Sequence, residues 1–384
     1  MDRMMHEPNP AIPGSISPDG HADPAPEGRS EPTAASGRQD PAAAPLTPEL
    51  KRALHGFMVK ARATEEMLIR MMRTGHGYFW IGGPGEEAFA VPLGMLVQRG
   101  QGPAYDYLHL HYRSSPIVLT MGAEPIDLMR QMRSTATDPY SKGRNFVNHF
   151  AIKRWNVVPV TPTIETQYVV SAGTAWVQRR HGGTGISIVN GGDAGTAEGD
   201  FSSCLNWCSR PGHELPVLIL ISQNFYGIST PAGQVQASPD LAQRAGPYGI
   251  RHRVIDGNDP EVSYAALTEA MDYVRTERKP FCLQGNVSRL YGHSSSSGAQ
   301  RHDERDGLLE YELRLIDEKV MTRADIDAVW KKWQVHLQEA LEQVLKEPMP
   351  DKSHVLQHVF APADFANNAD SSDQADSSFK NREV

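Results

Sequence analysis

Two stretches of this sequence carry residues suited to holding a hard cation and a polyphosphate. The first is Gly191-Gly192-Asp193-Ala194-Gly195-Thr196-Ala197-Glu198-Gly199-Asp200; the second is Gln223-Asn224-Phe225-Tyr226-Gly227-Ile228-Ser229-Thr230-Pro231. Magnesium takes octahedral oxygen ligands, one or two from protein and the rest from phosphate and water. Asp193 offers a carboxylate, Asn224 an amide oxygen, and the loop beyond Asn224 a backbone carbonyl. Glycines around Asp193 leave room for a diphosphate to approach the backbone. The amides opening the following helix favour an anion at the same place. Taken alone, each stretch reads as an ordinary turn, one Gly-rich and one of the Asx type. Together, with Asp193 and Asn224 31 residues apart, they form a far more specific pattern.

Such residues need rigid elements behind them. Ile186-Ser187-Ile188-Val189 and Val217-Leu218-Ile219-Leu220-Ile221 are nearly all apolar, as expected of parallel strands covered on both faces. Residues 198–209 between them read as the crossover helix. In such sheets ligands bind beyond the carboxyl ends of the strands, near a topological switch point. Upstream, Thr47-Pro48-Glu49 is a helix start, with a cap residue, a first-turn Pro and an acidic first turn. Leu50, Leu54, Met58, Ala61, Leu68 and Met72 then share one helical face, and Gly75 supplies a stop. Ile326, Val329, Trp333, Leu337, Leu341 and Val344 mark a long amphipathic helix near the end. Helices alternating with apolar strands predict an α/β fold: a doubly wound, mostly parallel sheet with helices on both faces.

The folded body is expected over residues 47–361. Residues 1–46, rich in Pro, Ala, Gly, Ser and Asp, and residues 362–384, rich in Asn, Asp, Ser and Gln, bury too little apolar surface to offset their ordering entropy and are expected to be disordered. The net charge of −8 opposes a nucleic-acid footprint. No apolar run is long enough to span a bilayer, so no membrane role is expected. Asp2, Glu7, Asp19 and Asp23 fit neither a signal nor a transit peptide, and the expected location is the cytoplasm. Cys204 and Cys208, four apart, suggest a metal pair, but no companion ligand lies nearby and they read as buried thiols.

The Gly-Asp…Asn pair resembles the thiamine diphosphate motif. Its flanks, Gly195 to Phe201 and Gln223 to Pro231, look like the alpha subunit of the 2-oxo acid dehydrogenases, nearest to the branched-chain (2-oxoisovalerate) type. Gly85-Glu86-Glu87, His111-Tyr112-Arg113 and Tyr291-Gly292-His293-Ser294 extend the resemblance over roughly residues 50–345. By this resemblance Asp193, Asn224 and the Tyr226 carbonyl bind magnesium. His111, Tyr112, Arg113, Pro162, Ile164, Ala194, Gly195, Ile228, Arg289 and His293 join Asp193, Asn224 and Tyr226 around thiamine diphosphate. Ile164 has two readings, a wedge that bends the cofactor or a core residue. Thr161, Thr166 and Gln167 match the segment where branched-chain relatives bind potassium, with Pro162 one place earlier than the family's Pro.

His293 is the candidate catalytic residue, and the serines from Ser294 to Ser297 read as flexible loop. Two departures stand out. Ala194 replaces the family's Gly, and Arg210 to Glu214 looks like a surface-loop insertion. The reaction implied is oxidative decarboxylation of a 2-oxo acid with acyl transfer to a lipoyl-bearing acyltransferase. The resemblance assigns the activating Glu to a beta subunit, hence an α2β2 assembly. Pyruvate and acetoin dehydrogenase alpha subunits share these motifs. A degenerate, non-catalytic scaffold is the reading from another class.

Overall fold

The computed structural model describes residues 45–357. The expected amino-terminal extension lies outside the described residues up to residue 44, and the expected carboxy-terminal tail lies outside them entirely. The helices are α1 (Pro48–Arg73), α2 (Glu87–Leu96), α3 (Ser115–Met121), α4 (Pro125–Arg133), α5 (Thr166–Arg180), α6 (Gly199–Cys208), α7 (Pro260–Glu277), α8 (Gly307–Asp317) and α9 (Arg323–Val344). The strands are β1 (Tyr107–His109), β2 (Ser187–Gly192), β3 (Val217–Gln223), the short β4 (Tyr226–Gly227) and β5 (Thr230–Pro231), then β6 (Arg251–Asp256) and β7 (Phe281–Asn286).

Local chemistry accounts for the helix ends. Thr47 caps α1 by accepting the Leu50 amide, and the chain leaves the helix through Gly75 at φ 75°. Thr322 and Asp325 form a reciprocal capping box at the start of α9, satisfying amide donors at the helix start. Both helices fall where the sequence places them, and α6 does so to within one residue at each end.

One five-stranded parallel sheet organises the molecule, in the order β1-β2-β3-β7-β6. The expected parallel, doubly covered sheet is the one observed. Side chains alternate across each strand. Ile188, Leu218, Leu220 and Leu283 pack into the larger core, with residues of α1, α2 and α7. Val189, Val217, Ile219, Ile221 and Cys282 face the other way, against Tyr168, Ala172, Phe201 and Leu205 of α5 and α6. Every residue of β2 and β3 is buried. Each buried Val, Ile or Leu contributes about 1.5–3 kcal/mol. Cys204 and Cys208 lie fully buried in the second core as free thiols.

The helix that joins β2 to β3 covers one face, whereas α7, which joins β6 to β7, covers the other. Strand order therefore reverses between β3 and β7, and the carboxyl end of β3 lies at the switch point.

Three local features differ from expectation. Strand β2 runs on through Gly191 and Gly192, because both glycines stay paired to Ile221 and Ser222 of β3. The turn after Asp193 is a short 3-10 helix, Ala194–Ala197, and α6 starts only at Gly199 because Glu198 is extended. The serine run is held at its start: Ser294 is buried and bridges to Ile81, and the Trp80 amide donates to the Ser295 hydroxyl at 3.2 Å, while Ser296 and Ser297 are exposed.

Candidate functional site

Four neighbouring strands deliver their carboxyl ends to one place. Arg113 follows β1, Asp193 follows β2, Asn224 follows β3, and Arg289 and His293 follow β7. In the β2–β3 register Gly192 faces Ser222, so Asp193 and Asn224 project from adjacent strand ends. Asp193 is buried. One of its carboxylate oxygens accepts the Ala194 amide at 2.8 Å, while Oδ2 lacks a hydrogen-bond partner among the described residues. Burial raises its pKa, opposed by nearby amides and by Arg113. A carboxylate so placed favours a cation, which would restore the lost stabilisation. Its backbone carbonyl is held by the Thr196 hydroxyl at 2.8 Å and the Gln236 amide at 2.9 Å, fixing the side chain's origin. Asn224 is buried, and its Oδ1 accepts the Tyr226 amide at 3.1 Å, tightening the second loop into the β4–β5 hairpin.

Arg113 supplies the positive charge. It is buried over the Tyr112 ring, 4.9 Å from the ring centre, with its Nε 3.7 Å from the Glu86 carboxylate and without a hydrogen bond among the described residues. Its Nη2 lies 2.8 Å from His293 Nδ1. A guanidinium only donates, so Nδ1 accepts and the ring proton sits on Nε2. Burial, then Arg113 and Arg289, push the His293 pKa down to about 4, which keeps the imidazole neutral near pH 7. His111 is buried and held neutral for similar reasons, with its ring against Tyr112.

At the mouth, a cavity of about 370 Å³ is lined by Tyr226, Ile228, Arg289, His293 and residues of the following loop. Arg289 sits over the Tyr226 ring at 4.8 Å and donates to the Ile228 carbonyl at 2.7 Å, joining the two loops. A larger cleft of about 720 Å³ lies at the amino-terminal edge of the sheet, away from these groups. Its Arg179 and Arg278 are engaged by backbone carbonyls.

The remaining expected residues fall around this centre. Ile164 and Ile228 are 52% and 54% exposed, so Ile164 takes no part in the core. Pro162 is exposed on the loop before α5. The Ala194 methyl faces the hairpin: a Cβ built on Gly227 would lie 2.8 Å from it. Gly195 lies buried in the 3-10 turn.

Two acids enter the site without having been singled out in the sequence. Glu86 is buried beside Arg113, and burial pushes its carboxyl up to about 7 against the pull of Arg113, Ser222 and Asn224. Glu165 is buried, its Oε1 accepts the Gly192 amide at 3.3 Å, and burial pushes it up to about 8. In sequence, Glu86 stands within Gly85-Glu86-Glu87 and Glu165 between Ile164 and Thr166, and neither position by itself marks a buried acid. Glu165, Phe225 and Ile228 all adopt left-handed φ, at 68°, 66° and 56°. Such strain in residues with side chains gathers where geometry serves function.

Residues 55–353 match the family described as Dehydrogenase E1 component. The chain is 27% identical over 317 residues to the 2-oxoisovalerate dehydrogenase subunit alpha of Bacillus subtilis (strain 168), covering 80% of this chain and 94% of that one. It is 26% identical over 284 residues to the pyruvate dehydrogenase E1 component subunit alpha of Rickettsia conorii, covering 72% and 85%. It is 24% identical over 314 residues to the mitochondrial 2-oxoisovalerate dehydrogenase subunit alpha of Mus musculus, covering 79% and 69%. The family anticipated from the two loop motifs is thus the family found, and the chain belongs to the dehydrogenase E1 component family.

Proposed function

We propose that this chain is the alpha subunit of a branched-chain 2-oxo acid dehydrogenase, which decarboxylates a 2-oxo acid oxidatively and passes the acyl group to a lipoyl arm. The observation that carries the reading is the buried Asp193 carboxylate with an unpartnered oxygen, beside Asn224 and facing Arg113 at the switch point. These residues suit a diphosphate held through magnesium, with Asp193, Asn224 and the Tyr226 carbonyl as its protein ligands. Thiamine diphosphate, when bound, supplies the electron sink for loss of carbon dioxide.

The chain's own groups do the rest. Arg113 offers a planar fork to phosphate oxygens. His293, neutral and protonated on Nε2, can donate a hydrogen bond to a developing negative oxygen while Arg113 keeps Nδ1 occupied. Arg289 and Ile228 border the mouth through which substrate and lipoyl arm would enter. Half-exposed Ile164 is free to press against the cofactor. A potassium ion on Thr161, Thr166 and Gln167 would take side-chain oxygens: Thr161 Oγ1 already accepts the Thr163 amide at 3.1 Å, whereas Gln167 bonds Glu165 and the Asn190 carbonyl through Nε2, both at 3.2 Å, rather than through its oxygen. A beta subunit contributes the missing half of the site, in an α2β2 assembly that works with a lipoyl-bearing acyltransferase in the cytoplasm.

Two experiments test the proposal. The chain co-produced with its beta subunit should turn over branched 2-oxo acids faster than pyruvate. Preference for pyruvate transfers the assignment to the pyruvate type, and no turnover on any 2-oxo acid favours a non-catalytic scaffold. Asp193→Ala should abolish magnesium-dependent thiamine diphosphate binding by calorimetry while circular dichroism stays unchanged; unchanged affinity removes the metal assignment.

A further inference from the structure

The glycines flanking Asp193 were expected to leave room for a phosphate, and that room is filled from within the chain. A Cβ built on Gly191 or Gly195 would overlap the Glu165 carboxylate, so this side chain lies in the notch between the two glycines. Its Oε1 accepts the Gly192 amide at 3.3 Å and its Oε2 the Gln167 amide at 3.2 Å. Both bonds are long for charge-assisted ones. Arg113 and Asp193 lie close enough to act electrostatically on the same carboxylate. Glu165 therefore places two acceptor oxygens in the notch that Gly191 and Gly195 frame, against the Gly192 amide.

The residue is an uncomfortable choice for a brace. It is 1% exposed and sits at φ 68°, a left-handed conformation that residues with a Cβ disfavour. The segment just before it, Pro162 to Ile164, is exposed, so a local backbone rearrangement need not disrupt the core.

We propose that Glu165 is a built-in stand-in for a phosphate: its carboxylate holds the cradle between Gly191 and Gly195 and must be displaced when a magnesium-bound diphosphate enters. The inference rests on the cofactor reading above. It makes Glu165 the residue that sets how tightly the diphosphate is held, through competition.

The test uses the full chain assembled with its beta subunit and magnesium pyrophosphate, which needs only the anchoring half of the site. Affinity is measured by calorimetry for the parent, Glu165→Gly, Glu165→Gln and Asp193→Ala. Glu165→Gly empties the notch and relieves the left-handed strain. It should bind about tenfold more tightly or better, the scale expected when the hydrogen bonds of Glu165 no longer need breaking. Glu165→Gln keeps the notch filled but trades one acceptor oxygen for a donor nitrogen, so it holds the Gly192 and Gln167 donors less well and should fall between Glu165→Gly and the parent. If Glu165→Gly does not fold, Glu165→Gln decides alone: tighter binding supports the competition, and equal or weaker binding overturns it. Equal affinity of Glu165→Gly and parent, with binding lost in Asp193→Ala, sinks the stand-in role and leaves the cofactor reading intact. Binding that survives Asp193→Ala, or is missing from every variant, overturns the cofactor reading and the stand-in role with it.

Discussion

A single contact, Arg113 to His293 at 2.8 Å, ties the proposed diphosphate anchor to the catalytic candidate and makes their mutants distinguishable. Arg113→Ala should weaken diphosphate binding by roughly 2–5 kcal/mol, the cost of removing one partner of a buried charged hydrogen bond. Calorimetry with thiamine diphosphate reads this, and normal saturation with impaired lipoyl transfer would move Arg113 to the outer site. His293→Ala removes a neutral donor, so turnover of the assembled enzyme should fall about 10²–10³-fold, as on losing an oxyanion donor. Diphosphate affinity should change little. Because His293 is depressed to about 4, it should add no acid limb near pH 6.5 to the rate profile. A limb there that vanishes in His293→Ala would contradict the neutral-donor role.

At the scale of elements, α1 carries a buried carboxylate that ties four segments together. Glu65 accepts from Trp80 Nε1 at 2.9 Å, the Ser115 hydroxyl at 2.5 Å and Asn148 Nδ2 at 3.0 Å. Burial outweighs these donors and raises its carboxyl to about 7. A carboxyl whose folded pKa exceeds the unfolded one contributes stability that is full below the unfolded pKa and is lost as pH rises through the folded value. Here that window runs from the ordinary carboxylate range near 4.5 up to about 7. Glu86 and Glu165, raised to about 7 and about 8, add in the same direction, whereas the depressed His109, His111, His149 and His293 lose stability as pH falls below about 6.5, so the thermal midpoint should decline from about pH 6.5 to pH 8. Glu65→Gln should flatten this decline in part, and identical slopes for variant and parent would exclude Glu65 as a source.

The whole molecule presents more apolar surface than its site alone requires. Val170, Trp176 and Val177 on α5 and Trp207 on α6 are exposed, besides Ile164 and Ile228 at the mouth. A beta subunit packed over these groups, as proposed, would remove them from water. The lone chain should bind thiamine diphosphate poorly, show no decarboxylation and associate in light scattering; adding a beta subunit should restore both functions. Robust turnover by the lone chain with an artificial electron acceptor would overturn the subunit assignment.

Much of this was legible in the sequence because it depends on neighbours along the chain. The apolar runs that became β2 and β3, the Thr47 cap and Gly75 stop of α1, and the pairing of Asp193 with Asn224 all follow from local pattern. Three matters were decided only by the tertiary structure. Parallel register set β1 and β7 beside β2 and β3, and so brought Arg113 and His293 within 2.8 Å across 180 residues of chain. That contact, rather than the histidine's surroundings in sequence, selects the ring nitrogen that keeps the proton. Burial did the rest, turning Glu86 and Glu165 from motif neighbours into groups that crowd the cation side of the site. Desolvation and long-range proximity act through space, and a linear pattern carries no measure of either.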